Sequence, residues 1–154
     1  MRKILLSLVT ALLQATQLQA QDLAAKDVPA AVTSGFKTKF PDAADVKWKK
    51  NKSGKYEADF RLSGKKAEAK FLADGKWDSS ERRVDAAQLP APAGDYIKKN
   101  YAAYEIDWVK WQEEADAAKN RYEVKIKKDK ADVELVFDDK GKFLKKKEKD
   151  KKAA

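Results

Sequence analysis

The sequence predicts an α+β fold: two tandem α-β-β-β-β repeats whose strands form an antiparallel sheet of about eight strands, with both helices on one face. Two segments, 55–77 and 121–143, alternate apolar and charged residues around turns, which is typical of half-buried hairpins. Each is preceded by an X-Pro pair and by apolar residues spaced about four apart, which indicates an amphipathic helix. The two halves follow the same order, so we interpret the chain as a duplication.

The first helix is predicted from Val28 to Phe40. Its apolar stripe has one member every four residues, and Pro41 ends it because proline disfavours helical geometry at the residue before it. The segment Val46-Lys47-Trp48 is the next strand, with Val46 and Trp48 directed towards the helix.

The first hairpin is predicted to turn at Ser63-Gly64, since glycine accepts a positive φ there. The expected register places three apolar pairs on one face: Phe60 with Ala67, Ala58 with Ala69, and Tyr56 with Phe71. A turn ending at Gly75 then pairs Phe71 with Trp77, and a last strand runs to about Val84.

The second repeat is predicted to follow the same plan. Its helix runs from about Ala91 to Tyr101, its first strand contains Val109-Lys110-Trp111, and 112–120 is a loop. A turn at Asp129-Lys130 gives the pairs Ile126 with Val133, Val124 with Leu135, and Tyr122 with Phe137, followed by Phe137 with Phe143. We expect Trp48, Trp77 and Trp111 to lie in the core, because strand alternation places all three on the same side as the other apolar residues.

The N-terminus carries two basic residues followed by a short apolar run, which is typical of a signal peptide and too short for a membrane span. We predict a signal peptide at 1–20, a linker at 21–27, repeat 1 at 28–84, a linker at 85–88, repeat 2 at 89–147, and a disordered Lys-rich tail at 148–154. The protein is then exported, periplasmic or secreted, with no transmembrane segment in the mature chain.

The composition argues against catalysis. The chain has no cysteine and no histidine, which removes thiolate chemistry, cysteine metal sites and the commonest general base. The adjacent acids Asp138-Asp139 and Glu113-Glu114 fall beside turns and lack catalytic partners. Asp138 to Gly141 also lacks the spaced ligands of a calcium loop. We therefore predict no enzyme, no catalytic residue, no metal and no cofactor.

The net charge is +9, or +7 without the predicted signal peptide, and it is concentrated in repeat 1, which carries +6 against +2 for repeat 2. Such an excess attracts acidic proteins, anionic glycans or lipid head groups, but a solvated surface is the better explanation of it. Nucleic acid is not an expected partner of an exported protein.

The chain resembles the exported PepSY-like family, whose members are also described as beta-lactamase-inhibitor-like proteins. The resemblance covers nearly all of 28–147 and lies mainly in proline, glycine and aromatic positions. In repeat 1 the matching residues are Val28-Pro29, Phe36, Phe40-Pro41, 46–48, 54–60 and 71–77; in repeat 2 they are Leu89-Pro90, 109–111, 122–126 and 137–143. The second helix departs from the pattern, because no proline follows Tyr101. The resemblance implies a binding protein, and inhibitors of this architecture grip a partner with the sheet face.

The sheet face away from the helices is the predicted binding surface. Its candidate partner-binding residues are Trp108, Lys110, Lys125, Lys47, Lys49 and Arg61. The expected pairs Glu57 with Lys70, Lys125 with Glu134, and Lys127 with Asp132 are adequately explained as sheet stabilisers. Trp108 neighbours inward residues, so it faces outward as an interface anchor unless a kink at the strand start buries it.

We therefore predict a monomeric, exported, non-enzymatic binding protein that acts on an unknown protein partner through this open face, as an inhibitor-like module. The alternative is an envelope module that binds anionic glycan or lipid through basic repeat 1 and the Lys-rich tail, with strong dependence on salt.

Overall fold

The structure, a computed structural model, describes residues 21–147; the predicted signal peptide and tail lie outside them. Its helices are α1 (Ala30–Lys39) and α2 (Ala91–Asn100), with short 3-10 turns at Ala25–Asp27, Ala86–Gln88 and Ala117–Lys119. Its strands are β1 (Gln21–Leu23), β2 (Ala44–Lys50), β3 (Tyr56–Leu62), β4 (Lys65–Phe71), β5 (Trp77–Val84), β6 (Glu105–Glu114), β7 (Arg121–Lys128), β8 (Ala131–Asp138) and β9 (Phe143–Lys147).

All nine strands form one antiparallel sheet in chain order, which confirms the α+β prediction. The two halves are joined by pairing of β5 with β6, where Val84 lies opposite Val109 and Ser79 opposite Glu114. The sheet is therefore continuous from one repeat into the next. It contains one strand more than expected, because β1, within the segment predicted as a linker, pairs with β2.

Both hairpins have the predicted register. Ala58 lies opposite Ala69 and Tyr56 opposite Phe71 in the first hairpin, and Val124 opposite Leu135 in the second. The first turn has positive φ at both Ser63 (50°) and Gly64 (75°), as a tight two-residue turn requires. The alternation of apolar and charged residues thus fixes which side of each strand is buried.

The core consists of two clusters, one under each helix. In repeat 1 the Phe36 ring of α1 packs edge-on against Phe60, Trp48 and Phe71, with centroids 5.0 to 6.0 Å apart. In repeat 2, Ile97 of α2 belongs to a cluster with Val124, Ile126, Leu135 and Phe137 from β7 and β8. Each repeat therefore buries its own apolar surface.

The strands that join the repeats are polar even on the helix side. Ser80, Arg82 and Glu113 lie there, and Arg82 approaches Glu113 at 4.0 Å. Trp77 and Trp111 lie at the margins of this strip and are only half-buried, whereas Trp48 is buried as predicted. Trp77 nevertheless packs against the repeat 1 cluster, whereas Trp111 belongs to neither cluster. The expectation that all three tryptophans are core residues is therefore wrong for Trp111, which lies in the polar strip between the two clusters.

Bulges account for two further differences. Val46, predicted to face inward, is 37% exposed because a bulge between Ala44 and Lys47, with a φ of +54° at Asp45, displaces the strand. An equivalent bulge between Ile106 and Trp108 leaves Ile106 38% exposed. The predicted loop at 112–120 is shorter than expected, since β6 continues to Glu114.

Candidate functional site

The polar face, meaning the side of the sheet opposite α1 and α2, is the candidate binding surface. The three charge pairs expected from the sequence are present in its register: Glu57 lies opposite Lys70, Lys125 opposite Glu134, and Lys127 opposite Asp132. The ion pairs also run diagonally, because Lys125 contacts Asp132 at 2.9 Å. Neither helix covers this face.

The six predicted site residues divide into two groups on the polar face. Lys47, Lys49 and Arg61 lie on β2 and β3, while Trp108, Lys110 and Lys125 lie on β6 and β7. The strands β4 and β5 separate the groups by about 14 Å, given the ~4.8 Å spacing of neighbouring strands. The structure therefore does not bring them together as one cluster.

Lys49 lies among three carboxylates. Its Nζ is 2.6 Å from Glu57, 3.0 Å from Asp59 and 3.9 Å from Glu68. These carboxylates lie within 4.8 Å of one another, close enough to hold a metal ion, but the lysine ammonium supplies the positive charge there. The hydrogen bond to Glu57 raises the pKa of Lys49 despite partial burial. The cluster is thus satisfied by the chain itself.

Burial and ion pairing compete at Glu57 and Glu68. Burial raises the pKa of Glu57, but the hydrogen bonds with Lys49 and Glu68 and the charges of Lys49 and Lys70 together outweigh it, so its pKa lies below the usual value. Burial also raises the pKa of Glu68, and Glu57 beside it adds to the rise, so that its pKa stays above the usual value although Lys70 opposes the shift.

Charges on the middle strands are segregated by sign. Asp59, Glu68 and Glu81 are cross-strand neighbours on β3, β4 and β5, and we call them the acidic row. A second set of cross-strand neighbours lies two residues along the strands from the acidic row, and we call it the basic row. It consists of Arg61, Lys66, Arg83 and Lys110 on β3 to β6. Like charges in directly opposed positions destabilise a sheet. The arrangement therefore requires compensation from elsewhere.

The acidic row is compensated internally. Lys49 contacts Asp59, Lys70 contacts Glu68 at 2.9 Å, and Lys110 contacts Glu81 at 2.7 Å. Gln112 donates a further hydrogen bond to Glu81 at 3.2 Å. Burial raises the pKa of Glu81, but the hydrogen bonds from Lys110 and Gln112 and the charges of Lys110 and Lys70 together outweigh it, so the pKa lies below the usual value.

The basic row is compensated only at its ends. Arg61 lies 3.5 Å from Asp45, and Lys110 is paired with Glu81. Lys66 and Arg83, adjacent in the middle of the row, have no carboxylate within 4.0 Å in residues 21–147. One terminal nitrogen of Arg83, Nη1, is buried and has no hydrogen-bond partner there. The middle of the basic row is therefore positive without a carboxylate of the described residues to compensate it.

Trp108 lies on the polar face and is half-buried, which falls between the two sequence-based alternatives. The Arg83 guanidinium lies 4.0 Å from its ring centroid, and Lys110 Nζ lies 5.5 Å away. This is cation–π geometry. Trp108 thus contacts Arg83, one of the two cations in the middle of the basic row.

Sequence reasoning missed Lys66 and Arg83. Counting by twos from inward-facing Trp77 places Arg83 on the helix side. The β4–β5 ladder is irregular, however, because Phe71 pairs with Trp77 but Lys70 pairs with Ser79, which leaves Asp78 as an extra residue. From Ser79 onward, the side chains of β5 therefore point to the opposite side from the one that counting predicts. The helix-side position of Ala67 could have placed Lys66 on the polar face, because adjacent strand residues point to opposite sides.

Within the described range, no helix has both the length and the apolar character needed to span a membrane. The chemistry that the polar face offers is ion pairing, hydrogen bonding and contact with an indole ring.

The chain matches a known family over most of its length. The family described as "putative beta-lactamase-inhibitor-like, PepSY-like" matches residues 14–63 and 54–145. Nothing among the curated proteins matches. These overlapping matches leave the predicted domain boundaries untested.

Solved structures share the fold. A "putative periplasmic protein" from Bacteroides eggerthii is 19% identical with a TM-score of 0.68, covering 78% of this chain and 88% of that one. A BLIP-like protein from Bacteroides fragilis is 23% identical with a TM-score of 0.65, covering 82% and 92%. With the family match across both repeats and the nine-stranded sheet with two helices, the chain belongs to the PepSY-like, beta-lactamase-inhibitor-like family.

Proposed function

We propose that the protein is an exported, non-enzymatic module that binds another protein through its polar face. The observation that carries the proposal is a face that neither helix covers, with the half-buried Trp108 and its stacked Arg83 near its middle. Tryptophan and arginine are the residues most often found as energetic anchors of interfaces.

The dimensions of the face fit such a role. A typical strand here has seven residues, about 23 Å, and nine strands span roughly 38 Å at ~4.8 Å spacing. The resulting area is close to the ~800 Å² that each partner contributes to a standard protein–protein interface. One folded partner can therefore be accommodated without rearrangement of the sheet.

Export and the absence of catalysis are parts of the same proposal. The basic and apolar N-terminal segment supports export, as does the description of the Bacteroides eggerthii protein as periplasmic. The lack of histidine and cysteine and the internal pairing of the carboxylates on the face support binding over turnover. Inhibition of the partner would be one consequence of binding, as the likeness to a BLIP-like protein suggests.

Co-purification from envelope extract tests the proposal. Wild type, Trp108→Ala and Ile106→Ala would be compared, because Ile106 is an exposed apolar residue on the same strand but lies on the helix side, opposite Ile126. We expect one protein to be retained by wild type and Ile106→Ala and lost with Trp108→Ala. Titration calorimetry with that purified protein should then show at least a tenfold weaker Kd for Trp108→Ala.

Retention of the same protein by all three variants, or of none by wild type, would refute the proposal. Binding to anionic vesicles or glycans that disappears at high salt and is indifferent to Trp108→Ala would favour the envelope-module alternative instead.

A further inference from the structure

We infer that the middle of the basic row, at Lys66 and Arg83, is a subsite for a carboxylate side chain of the partner. The inference rests on the proposed protein-binding function and adds the chemistry of the central contact. It begins from the asymmetry between the two charged rows of the polar face.

The asymmetry is one of compensation. Every member of the acidic row contacts a lysine of this chain, whereas Lys66 and Arg83 contact no carboxylate in the part of the chain that the structure describes. Adjacent cations repel each other, and an anion placed between them removes that repulsion. The complementary group is therefore negative.

The orientation of Arg83 favours a carboxylate. Its guanidinium lies 4.0 Å from the centroid of the Trp108 ring, which holds the group at this position. Nη1 is buried and has no hydrogen-bond partner in residues 21–147, so this N–H group is left unsatisfied by the chain. A carboxylate that reaches the guanidinium can satisfy it and accept a second N–H bond, which is the strongest common pairing of arginine.

The space beside Arg83 limits the size of the ligand. A recess of about 200 Å³ lies between Lys66, Arg83 and Lys110 on one side and the acidic row on the other. It can admit a single acidic side chain with a few waters. A dense polyanion would also lie against Glu68 and Glu81, two residues further along the strands, and these carboxylates would repel it. The geometry therefore favours a single glutamate or aspartate of a protein over a lipid or glycan surface.

The test uses the purified full chain and a short, end-blocked peptide containing two glutamates, with the glutamine version as its control. The readouts are the NMR signals of the Trp108 indole N–H and the Arg83 Nε–H, the former assigned by its absence in Trp108→Ala. We expect both to shift with the glutamate peptide only. Arg83→Gln should weaken the response at least tenfold. Lys127→Gln, which removes a cation paired with Asp107 on the same face, should leave it unchanged.

Thermal unfolding of each variant establishes that the fold is retained. The subsite is refuted if the glutamate and glutamine peptides act alike, if Arg83→Gln responds as wild type does, or if only phosphatidylglycerol vesicles perturb these signals. A partner that depends on Trp108 but is indifferent to Arg83→Gln would refute the carboxylate subsite and leave the binding face in place. A normal peptide response with no retained partner would support the subsite and refute the proposed function.

Discussion

Gly35 of α1 lies directly on the carbonyl group of Gly75, and a Cβ atom at residue 35 would overlap that carbonyl oxygen. In return, a Cβ at Gly75 would overlap the carbonyl group of Ala31. The turn between β4 and β5 is thus in backbone contact with α1, and the two glycines set how closely the helix approaches the sheet.

Gly35→Ala should therefore destabilise the protein. Because the neighbouring atoms are backbone atoms that cannot rotate away, we expect a loss of about 1–3 kcal/mol in the free energy of unfolding. Gly94→Ala in α2 is the matched control, since nothing lies within 4 Å of a Cβ there. It should stabilise the helix by about 0.5–1 kcal/mol. Urea denaturation of both variants measures the difference, and equal effects would contradict the proposed helix–turn contact.

Lys49→Met should destabilise the protein, because it removes the ammonium group that lies among the carboxylates of Glu57, Asp59 and Glu68. The side chain of Lys49 is 27% exposed, so we expect a loss of roughly 1–3 kcal/mol, below the ~3–5 kcal/mol of a fully buried pair. About 5 mM Ca²⁺ should restore much of the thermal stability of the variant, since a Kd near 10⁻³ M is typical of extracellular calcium modules. Wild type should not respond. A variant as stable as wild type without Ca²⁺ would show that the lysine does not hold the cluster together.

Glu81→Gln should alter the dependence of stability on pH. The pKa of Glu81 lies below its usual value in the folded protein, so its contribution to stability is present above the unfolded pKa of about 4.3 and is lost as the pH falls through the folded pKa. The Tm of Glu81→Gln should be lower than that of wild type by on the order of 3 °C near pH 7. The difference in Tm between Glu81→Gln and wild type should disappear below about pH 4.

The control for this experiment is Asp139→Asn, which changes an exposed carboxylate in the β8–β9 turn. Because this carboxylate is exposed, its removal should change the Tm near pH 7 less than Glu81→Gln does. A gap for Glu81→Gln that is constant from pH 7 to pH 3 would mean that the contact with Lys110 does not contribute through charge.

Ser63→Asn should stabilise the first hairpin. Ser63 and Gly64 both have positive φ, the geometry of a turn for which Asn-Gly is the preferred pair. Asparagine adopts positive φ more readily than serine, so we expect a gain of a few tenths of a kcal/mol, measured by urea denaturation. A loss of stability would indicate that the serine hydroxyl is needed in the turn.

The sequence predicts the sheet most accurately where alternation is strict. Pairs such as Ala58 with Ala69 and Val124 with Leu135 are found in the expected register, because a slip of one residue would expose an apolar row. The exposure of Val46 and the position of Arg83 could not be predicted in the same way. Each follows a bulge, and a single inserted residue reverses the parity without leaving a clear mark in the composition.

The candidate site was only partly predictable for the same reason. Trp108, Lys110 and Lys125 lie on the expected face, since the alternation of β6 and β7 places them there. The segregation of the charges into two rows depends on the register between β4 and β5, which the sequence does not determine. Alternation alone could have placed Lys66 on the polar face, but Arg83 could be placed beside it only after that register was known.

A strand and a 3-10 turn precede each helix: β1 and its turn precede α1, and β5 and its turn precede α2. The repeating unit can therefore be drawn one strand earlier, as strand, short turn, helix and three strands, with β9 closing the second unit. Drawn this way, the two units are joined by the β4–β5 ladder and by ion pairs such as Lys55 with Asp78 and Lys65 with Asp85. A third unit could be added at the outer side of β9 without repacking either core, and the consecutive lysines at 145–147 oppose such growth by charge.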